Sequence, residues 1–499
     1  MAKDKFSIDR YDSDNSGNGV LVIYTGGTIG SRPKDPVDPS SPQVVISWKE
    51  FKESTKEFEK LGFNVDGYTT DPLDSCNVGP NEWSEMAKVI ENSYDEYEGF
   101  VILHGTDTMT NTASALSFML RNLGKPVILT GAQISYLWNI RNDGRQNMIT
   151  ALQLANPKHS KIPVIPEVCI YFHGELYRGN RTKKLHASGF DAYDSPNLPP
   201  LAIIGENFEI NTGLLRPIPS TSISIQTRLQ TDVIAIDFFP GIQDGVILDR
   251  LLDIKGLRGV VLKAYGAGNI PTKEAVMQKI KKVSSIKEVV FLVVTQCGGG
   301  KVELGLYDTS AKLLDVGCLS GVDITSEAAL AKLMVLLGNE DKTLEAVREE
   351  VQRNLAGEQS HSIFITSFTD SSFTLTNESP RERLWGEIIH GVIPFREAKS
   401  GKIQLRFKEG RITSSLESGM AEFDLYINLG SDEDSIERGP KYLGSFSKPS
   451  NKVPTTLFFD ITEMAKGKID PVNPTSFTII QKDGKGSFET EGVELMVYA

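Results

Sequence analysis

The apolar run Val20 to Ile23 breaks at Tyr24-Thr25-Gly26-Gly27-Thr28-Ile29-Gly30, and this break limits the fold more than any other stretch of the chain. A strand has to end there. Two adjacent glycines allow positive φ and close approach of another group, while Thr25 and Thr28 bring hydroxyls to the turn. In open α/β sheets, chemistry sits at such strand ends. Taken alone, the stretch reads equally well as a tight turn in which Thr28 only caps the next element.

The pattern recurs. Phe100 to Leu103 is a second apolar run, and it leads into His104-Gly105-Thr106-Asp107-Thr108-Met109. If the two strands are parallel neighbours, Thr28 and Thr106 stand side by side, with Asp107 next to the second hydroxyl. Further strand-like runs at Pro126 to Gly131, Glu167 to Phe172, Val233 to Phe238, Val260 to Ala264 and Val289 to Thr295 alternate with helical patterns. The helices are expected at Trp48 to Leu61, Trp83 to Tyr97, Thr110 to Leu123, Gln146 to Ala155, Thr325 to Leu337 and Leu344 to Leu355. That alternation is the signature of an α/β chain with a mostly parallel sheet covered on both faces.

Three connections stand out. Ser31 to Gln43 carries Pro33, Pro36, Pro39 and Pro42, so it cannot be helix interior and is a candidate lid. Asp71 to Pro80 reads as a loop with Ser75 and Cys76 at its centre. His173 to Phe190 reads as a long loop carrying Arg178, Arg181, Lys183, Lys184 and His186. Either it is a solvated basic face, or one lysine points inward as a proton carrier, and the sequence leaves both open.

A chain of 499 residues is too long for one core, which implies two or three domains. Residues 1–19 form a polar leader, residues 216–231 a linker, and from His361 onward alternating segments separated by turn residues read as an antiparallel β-sandwich over 361–499. The net charge of -12 disfavours nucleic acid as a partner. Four widely spaced cysteines and six scattered histidines suggest neither disulfides nor a metal site, and no cofactor is expected. The acidic cluster Ser431 to Asp434 is a solvated loop in this reading. With no apolar run near the roughly 18 residues of a bilayer span, no membrane association is expected, and a cytoplasmic protein is.

On YTGGTIG (Tyr24 to Gly30), VILHGTDTM (Val101 to Met109), TASALSFML (Thr112 to Leu120), RGNRTKK (Arg178 to Lys184), FDAYDSPNLPPL (Phe190 to Leu201) and TQC (Thr295 to Cys297), the chain resembles the type I, cytoplasmic bacterial L-asparaginases from Val20 to Gly357. The resemblance implies a two-domain fold: a larger flavodoxin-like parallel-sheet domain over 20–215 and a smaller α/β domain over 232–357. It also implies hydrolysis of L-asparagine through an acyl-enzyme, with Thr28 as nucleophile and Thr106, Asp107 and Lys184 as a second catalytic group. Substrate would be held by Asp74, Ser75 and Cys76 together with Thr106 and Asp107. Relatives of this type are dimer-built tetramers, so a homo-oligomer is expected. Some carry an allosteric site, which here would fall on Lys263 and Cys297, with lysine in place of the usual arginine. More weakly, AEFDLYINL (Ala421 to Leu429), YLGSF (Tyr442 to Phe446) and FFDITEMA (Phe458 to Ala465) resemble the C-terminal domain of plant polyphenol oxidases.

Two departures from the family pattern matter. The lid lacks the tyrosine that assists the nucleophile, since none occurs between Tyr24 and Tyr68, although Tyr11 in the leader could reach over; and Asn77 stands where aspartate is common. Two other functions remain open beside an asparaginase: an ammonia-donating amidotransferase-type subunit, and a catalytically weakened sensor or assembly protein that works through its β-sandwich.

Overall fold

The computed structural model describes residues 6–10, 19–35, 37–38, 41–137, 140–242, 246–286, 288–305 and 308–360, and after them 363–367, 373–375, 381–386, 403–414, 420–427, 442–449, 455–461, 475–481 and 486–498. The chain divides into two compact units. One holds residues 1–268, 288–302 and 323–360, the other 269–287, 303–322 and 361–499.

The first unit is built on strands β1 (Val20–Gly26), β2 (Val65–Leu73), β3 (Gly99–Leu103), β4 (Val127–Thr130), β5 (Val168–Phe172), β6 (Glu175–Arg178), β7 (Ala202–Ile204) and β8 (Phe208–Ile210). Their order in the sheet is β8-β7-β6-β5-β4-β3-β1-β2. The five strands from β5 to β2 pair in parallel, and β6 to β8 add an antiparallel margin. All of β1 is buried, which is why its sequence is an unbroken apolar run rather than an alternating one. A smaller sheet pairs β9 (Val233–Asp237), β10 (Gly259–Ala264) and β11 (Val290–Thr295), again in parallel. The expected α/β architecture is therefore present, with β1 and β3 adjacent.

Several elements differ from the sequence expectation for local reasons. The helix expected over Trp48 to Leu61 ends at Ser54, because Thr55 turns its hydroxyl back onto the Phe51 carbonyl at 2.7 Å, and a separate 3-10 segment follows at Lys56–Lys60. The helix expected to reach Leu123 ends at Met119, and Leu120–Arg121 pairs with Ser224–Ile225 from the expected linker. His173 to Phe190 is not one long loop. It contains β6, a 3-10 turn at Gly179–Arg181 and the strand Lys183–Lys184. The candidate lid begins and ends as a hairpin, Ser31–Pro33 on Gln43–Val45.

The leader is more than a tail. Asp9 exchanges two backbone hydrogen bonds with Gly67, at 2.8 and 3.0 Å, and the Phe6 ring meets Tyr68 at 5.4 Å, so residues 6–10 lie along the outer edge of β2. Tyr11 falls outside the described residues, as do Ser431 to Asp434.

In the second unit, the strands from Ile363 onward pair antiparallel throughout, in one sheet containing Ile403–Ser414 and Gly492–Tyr498 and another containing Met420–Ile427 and Thr475–Gln481. Among the described residues, no helix is long and apolar enough to cross a membrane, and no group of three or more His, Cys, Asp and Glu side chains could hold a metal ion.

Candidate active site

The site forms where β1 and β3 end together, Tyr24 lying opposite Leu103. Gly27 has φ of 80°, and a Cβ there would sit 2.4 Å from the Gly105 Cα. A Cβ on Gly105 would in turn lie 2.7 Å from the Ser75 Cβ. The two threonine-bearing turns thus meet backbone to backbone, and the Ser75 side chain packs against Gly105, both approaches that only glycine permits. Thr28 opens the 3-10 turn Thr28–Gly30, fixed by Ser31 Oγ donating to the Thr28 carbonyl at 2.9 Å and the Tyr24 hydroxyl donating to the Ile46 carbonyl at 3.0 Å. Thr25 does not share the turn's opening: its hydroxyl donates to the Leu103 carbonyl at 3.0 Å and ties β1 to β3.

Lys184 follows β6, three positions from β3 in the sheet, on a two-residue strand whose partner is Tyr193–Asp194. Its Nζ donates to Thr106 Oγ1 at 2.9 Å and to Asp107 Oδ1 at 2.7 Å. The lysine side chain is 15% exposed and Asp107 is 65% exposed, so a covered ammonium bridges a buried hydroxyl and a carboxylate on the rim. Of the two readings of the basic segment, the inward lysine is the one the geometry supports. Arg178 and Arg181 are not a solvated face either, since both are buried in ion pairs with Glu167 and Asp323. Tyr193 donates its hydroxyl to the Thr106 carbonyl; burial, and then the charge of Asp107, raise it far above the ordinary phenol range, so it stays a donor.

The loop around Ser75 completes the arrangement. Asp74 caps the short turn Ser75–Asn77 by accepting from the Cys76 amide at 3.4 Å. Ser75 is buried, and its Oγ accepts from the Asp107 amide at 3.2 Å, which leaves the hydroxyl hydrogen to donate elsewhere. Thr108 Oγ1 donates to the Ser75 carbonyl at 2.5 Å. Asp74, Cys76 and Asn77 are exposed around it. Thr28, Thr106, Asp107, Lys184 and the Ser75 loop are thus brought to one place. Among the described residues, no side chain hydrogen-bonds the Thr28 hydroxyl. Lys263 and Cys297 lie instead at the ends of β10 and β11, where Asp237 engages the Lys263 ammonium at 2.7 Å, so an effector carboxylate there would compete with Asp237.

Sequence reasoning missed His104. It is fully buried behind Thr106, and because the Gly105 carbonyl at 2.7 Å can only accept, Nδ1 carries the proton. Nε2 then accepts from Thr112 Oγ1 at 3.0 Å, which itself accepts from Trp83 Nε1 at 3.0 Å, so the chain of donors runs in one direction. Burial pushes His104 down from 6.5 to about 4. Between those values the unfolded chain binds a proton that the folded protein refuses, so stability is lost as pH falls through that window, by roughly 3 kcal/mol. Urea unfolding at pH 7 and pH 4.5 should show this loss, and His104→Asn should remove about that much of the difference; equal slopes in the two proteins would contradict it.

Comparison with known proteins places a chain of this fold and site. Family models for "Asparaginase, N-terminal" and "Glutaminase/Asparaginase C-terminal domain" match residues 19–216 and 232–350. The chain belongs to the asparaginase family and is an enzyme of that family. L-asparaginase 1 of Escherichia coli (strain K12) is 40% identical over 344 residues, which cover 68% of this chain and 97% of that protein. A glutamyl-tRNA(Gln) amidotransferase subunit of Pyrococcus abyssi (strain GE5 / Orsay) is 34% identical over 352 residues, covering 68% and 76%. The crystal structure of L-asparaginase I from Vibrio cholerae O1 biovar eltor str. N16961 matches with a TM-score of 0.61 and 38% identity, covering 69% of this chain and 99% of that one. The resemblance to type I bacterial L-asparaginases is thereby confirmed, and both family models end before residue 361.

Proposed function

We propose that the protein is an L-asparaginase that hydrolyses L-asparagine to L-aspartate and ammonia through a threonine acyl-enzyme. The observation that carries this reading is Lys184 Nζ on Thr106 Oγ1 at 2.9 Å, in a turn whose Gly105 is in backbone contact with Gly27 beside Thr28. Thr28 Oγ1 attacks the side-chain amide carbon. The C–N bond breaks, the hydroxyl proton ends on the departing nitrogen, and ammonia leaves. Water then attacks the ester, its proton passing through Thr106 to Lys184 in the free-amine form, and Thr28 regains its hydrogen by the same route. Asp107 meets the substrate ammonium, and the loop of Asp74, Ser75 and Cys76 holds its carboxylate. Lacking a lid tyrosine, Thr28 depends on the Thr106 and Lys184 pair for activation.

In this reading the domains run over 20–215, 232–357 and 361–499, joined through 216–231, and the larger sheet is flavodoxin-like. The two C-terminal sheets close as a β-sandwich, for which the buried Phe423 and Phe488 rings, one from each sheet and 5.3 Å apart, are the support. A cytoplasmic homo-oligomer, dimer or tetramer, fits the four free cysteines and the family. The amidotransferase alternative draws on the names of two relatives, but a net charge of -12 argues against an RNA-facing subunit. Purified full-length protein should release equal amounts of ammonia and aspartate from asparagine without a partner, and Thr106→Ala should not. Absence of ammonia from the unmodified protein sinks the reading.

A further inference from the structure

Lys184 is separated from Arg181 by only Thr182 and Lys183, and Arg181 is almost wholly buried. Its guanidinium makes a two-pronged pair with Asp323, Nη1 to Oδ1 and Nη2 to Oδ2, both at 2.9 Å. The same two nitrogens also donate to the Glu358 carbonyl at 2.8 Å, the Asn197 carbonyl at 3.1 Å and Ser360 Oγ at 2.9 Å. Ser360 returns to Asp323 through its amide at 2.7 Å and through its hydroxyl. Beside it, Asn180 Nδ2 donates to the Ala356 carbonyl at 2.9 Å. Gly357, at φ of 80°, passes so close to Arg178 that a Cβ would lie 2.8 Å from the guanidinium carbon.

These contacts join three pieces of chain at one carboxylate. The hairpin carrying Lys184 begins just after Arg181 and ends just before Asn197, and Asn197 Nδ2 donates to the Asp323 carbonyl at 3.1 Å. Both legs of that hairpin are therefore referenced to Asp323. Thr182 makes the link to Lys184 stiff by donating its hydroxyl to the Arg178 carbonyl at 2.7 Å. A buried ion pair adds little net stability over well-packed apolar groups, so its value here lies in the direction that a planar, forked donor imposes.

We propose that Arg181 is a positioning residue for Lys184, held in place by Asp323 and by the strap of residues 356–360. The proposal rests on the role given to Lys184 under Proposed function. Because Ser360 is covalently followed by residue 361, the C-terminal stretch is attached to the clamp that sets the lysine, and the lysine's placement depends on how that strap is held.

The test uses the full-length protein with Arg181→Lys, which keeps the charge but loses the fork, and Ser360→Ala, which removes one hydroxyl. Ile236→Val, a small packing loss in β9, serves as a stability control. Asparagine turnover should fall about tenfold in Arg181→Lys, with KM changing less than kcat and the pH profile of kcat displaced, since small misplacements of a reacting group are costly. Ser360→Ala should show a smaller change in the same direction. Independently of activity, partial acetylation with acetic anhydride, read by mass spectrometry, should label Lys184 severalfold faster relative to Lys183 in both variants. An unchanged pH profile and labelling ratio, with only the melting temperature lowered as in Ile236→Val, overturns the proposal. If the unmodified protein does not hydrolyse asparagine, the functional reading fails and the labelling ratio alone decides whether Arg181 positions Lys184. If Arg181→Lys does not fold, the ratio in Ser360→Ala decides.

Discussion

Thr28→Ala is expected to lower asparagine turnover by about four orders of magnitude or more while leaving the fold unchanged, because no other hydroxyl replaces a missing nucleophile. The substitution is structurally mild. Thr28 is half-buried, and the turn it opens is held by its own carbonyl, through Ser31, rather than by its hydroxyl. Thr28→Ser separates nucleophilicity from placement. It keeps the oxygen but frees χ1, which a β-branched side chain restricts, so activity should fall much less than in Thr28→Ala. Steady-state ammonia release and a mass-spectrometric search for the acyl-enzyme in Thr28→Ser check both statements. Near-normal activity in Thr28→Ala would move the nucleophile to Thr106 and remove the reason for a two-threonine site.

The second large effect is on stability. Lys332, on the helix Ser326–Leu337, and Glu358, in the strap, are both fully buried and 2.5 Å apart. Lys332→Met leaves the carboxylate without its ammonium and should cost about 3–5 kcal/mol in chemical denaturation. Glu358 also accepts from the Leu355 amide at 3.0 Å and the Ala356 amide at 2.7 Å, so Glu358→Gln, whose single acceptor oxygen serves fewer donors, should be comparably harmful. The double variant should cost clearly less than the sum of the two. Burial opposes ionisation of Glu358, but Lys332 and the two amides hold it below the ordinary 4.5. A depressed carboxylate contributes its stability above that ordinary value and loses it as pH falls through the folded one, so the penalty of Lys332→Met should shrink in acid. Additive costs, or a penalty that grows in acid, would show that the pair does not act as a unit.

Much of the site was legible because strand ends announce themselves. The Gly-Gly-Thr and Gly-Thr-Asp breaks after apolar runs mark the turns of Thr28 and Thr106 in the sequence, and β1 and β3 being neighbours brings those two turns together. The placement of Lys184 was only half legible, because a run of basic residues looks the same whether it faces water or the core. What decided it were partners far away in sequence: Glu167 for Arg178, Asp323 for Arg181 and Thr106 for Lys184. His104 left no signal at all, since a single histidine after a strand gives no hint that Trp83 and Thr112 will line up behind it. Helix ends were missed at Thr55 and Met119 for a different reason. There the competition came from a hydroxyl bonding back to its own helix in one case and from a strand about 100 residues further on in the other.

The short segment Phe6 to Arg10 has a consequence beyond its own contacts. β2 is the outermost strand of the large sheet on its side, and an outermost strand offers a row of unsatisfied amides and carbonyls to any passing extended chain. Asp9 takes up both backbone groups of Gly67, while the charges of Asp9 and Arg10, paired with Lys52 and Glu96, surround that margin. Phe6 to Arg10 thus occupies part of that edge, and deleting it is expected to raise self-association, read by light scattering, before it lowers catalysis.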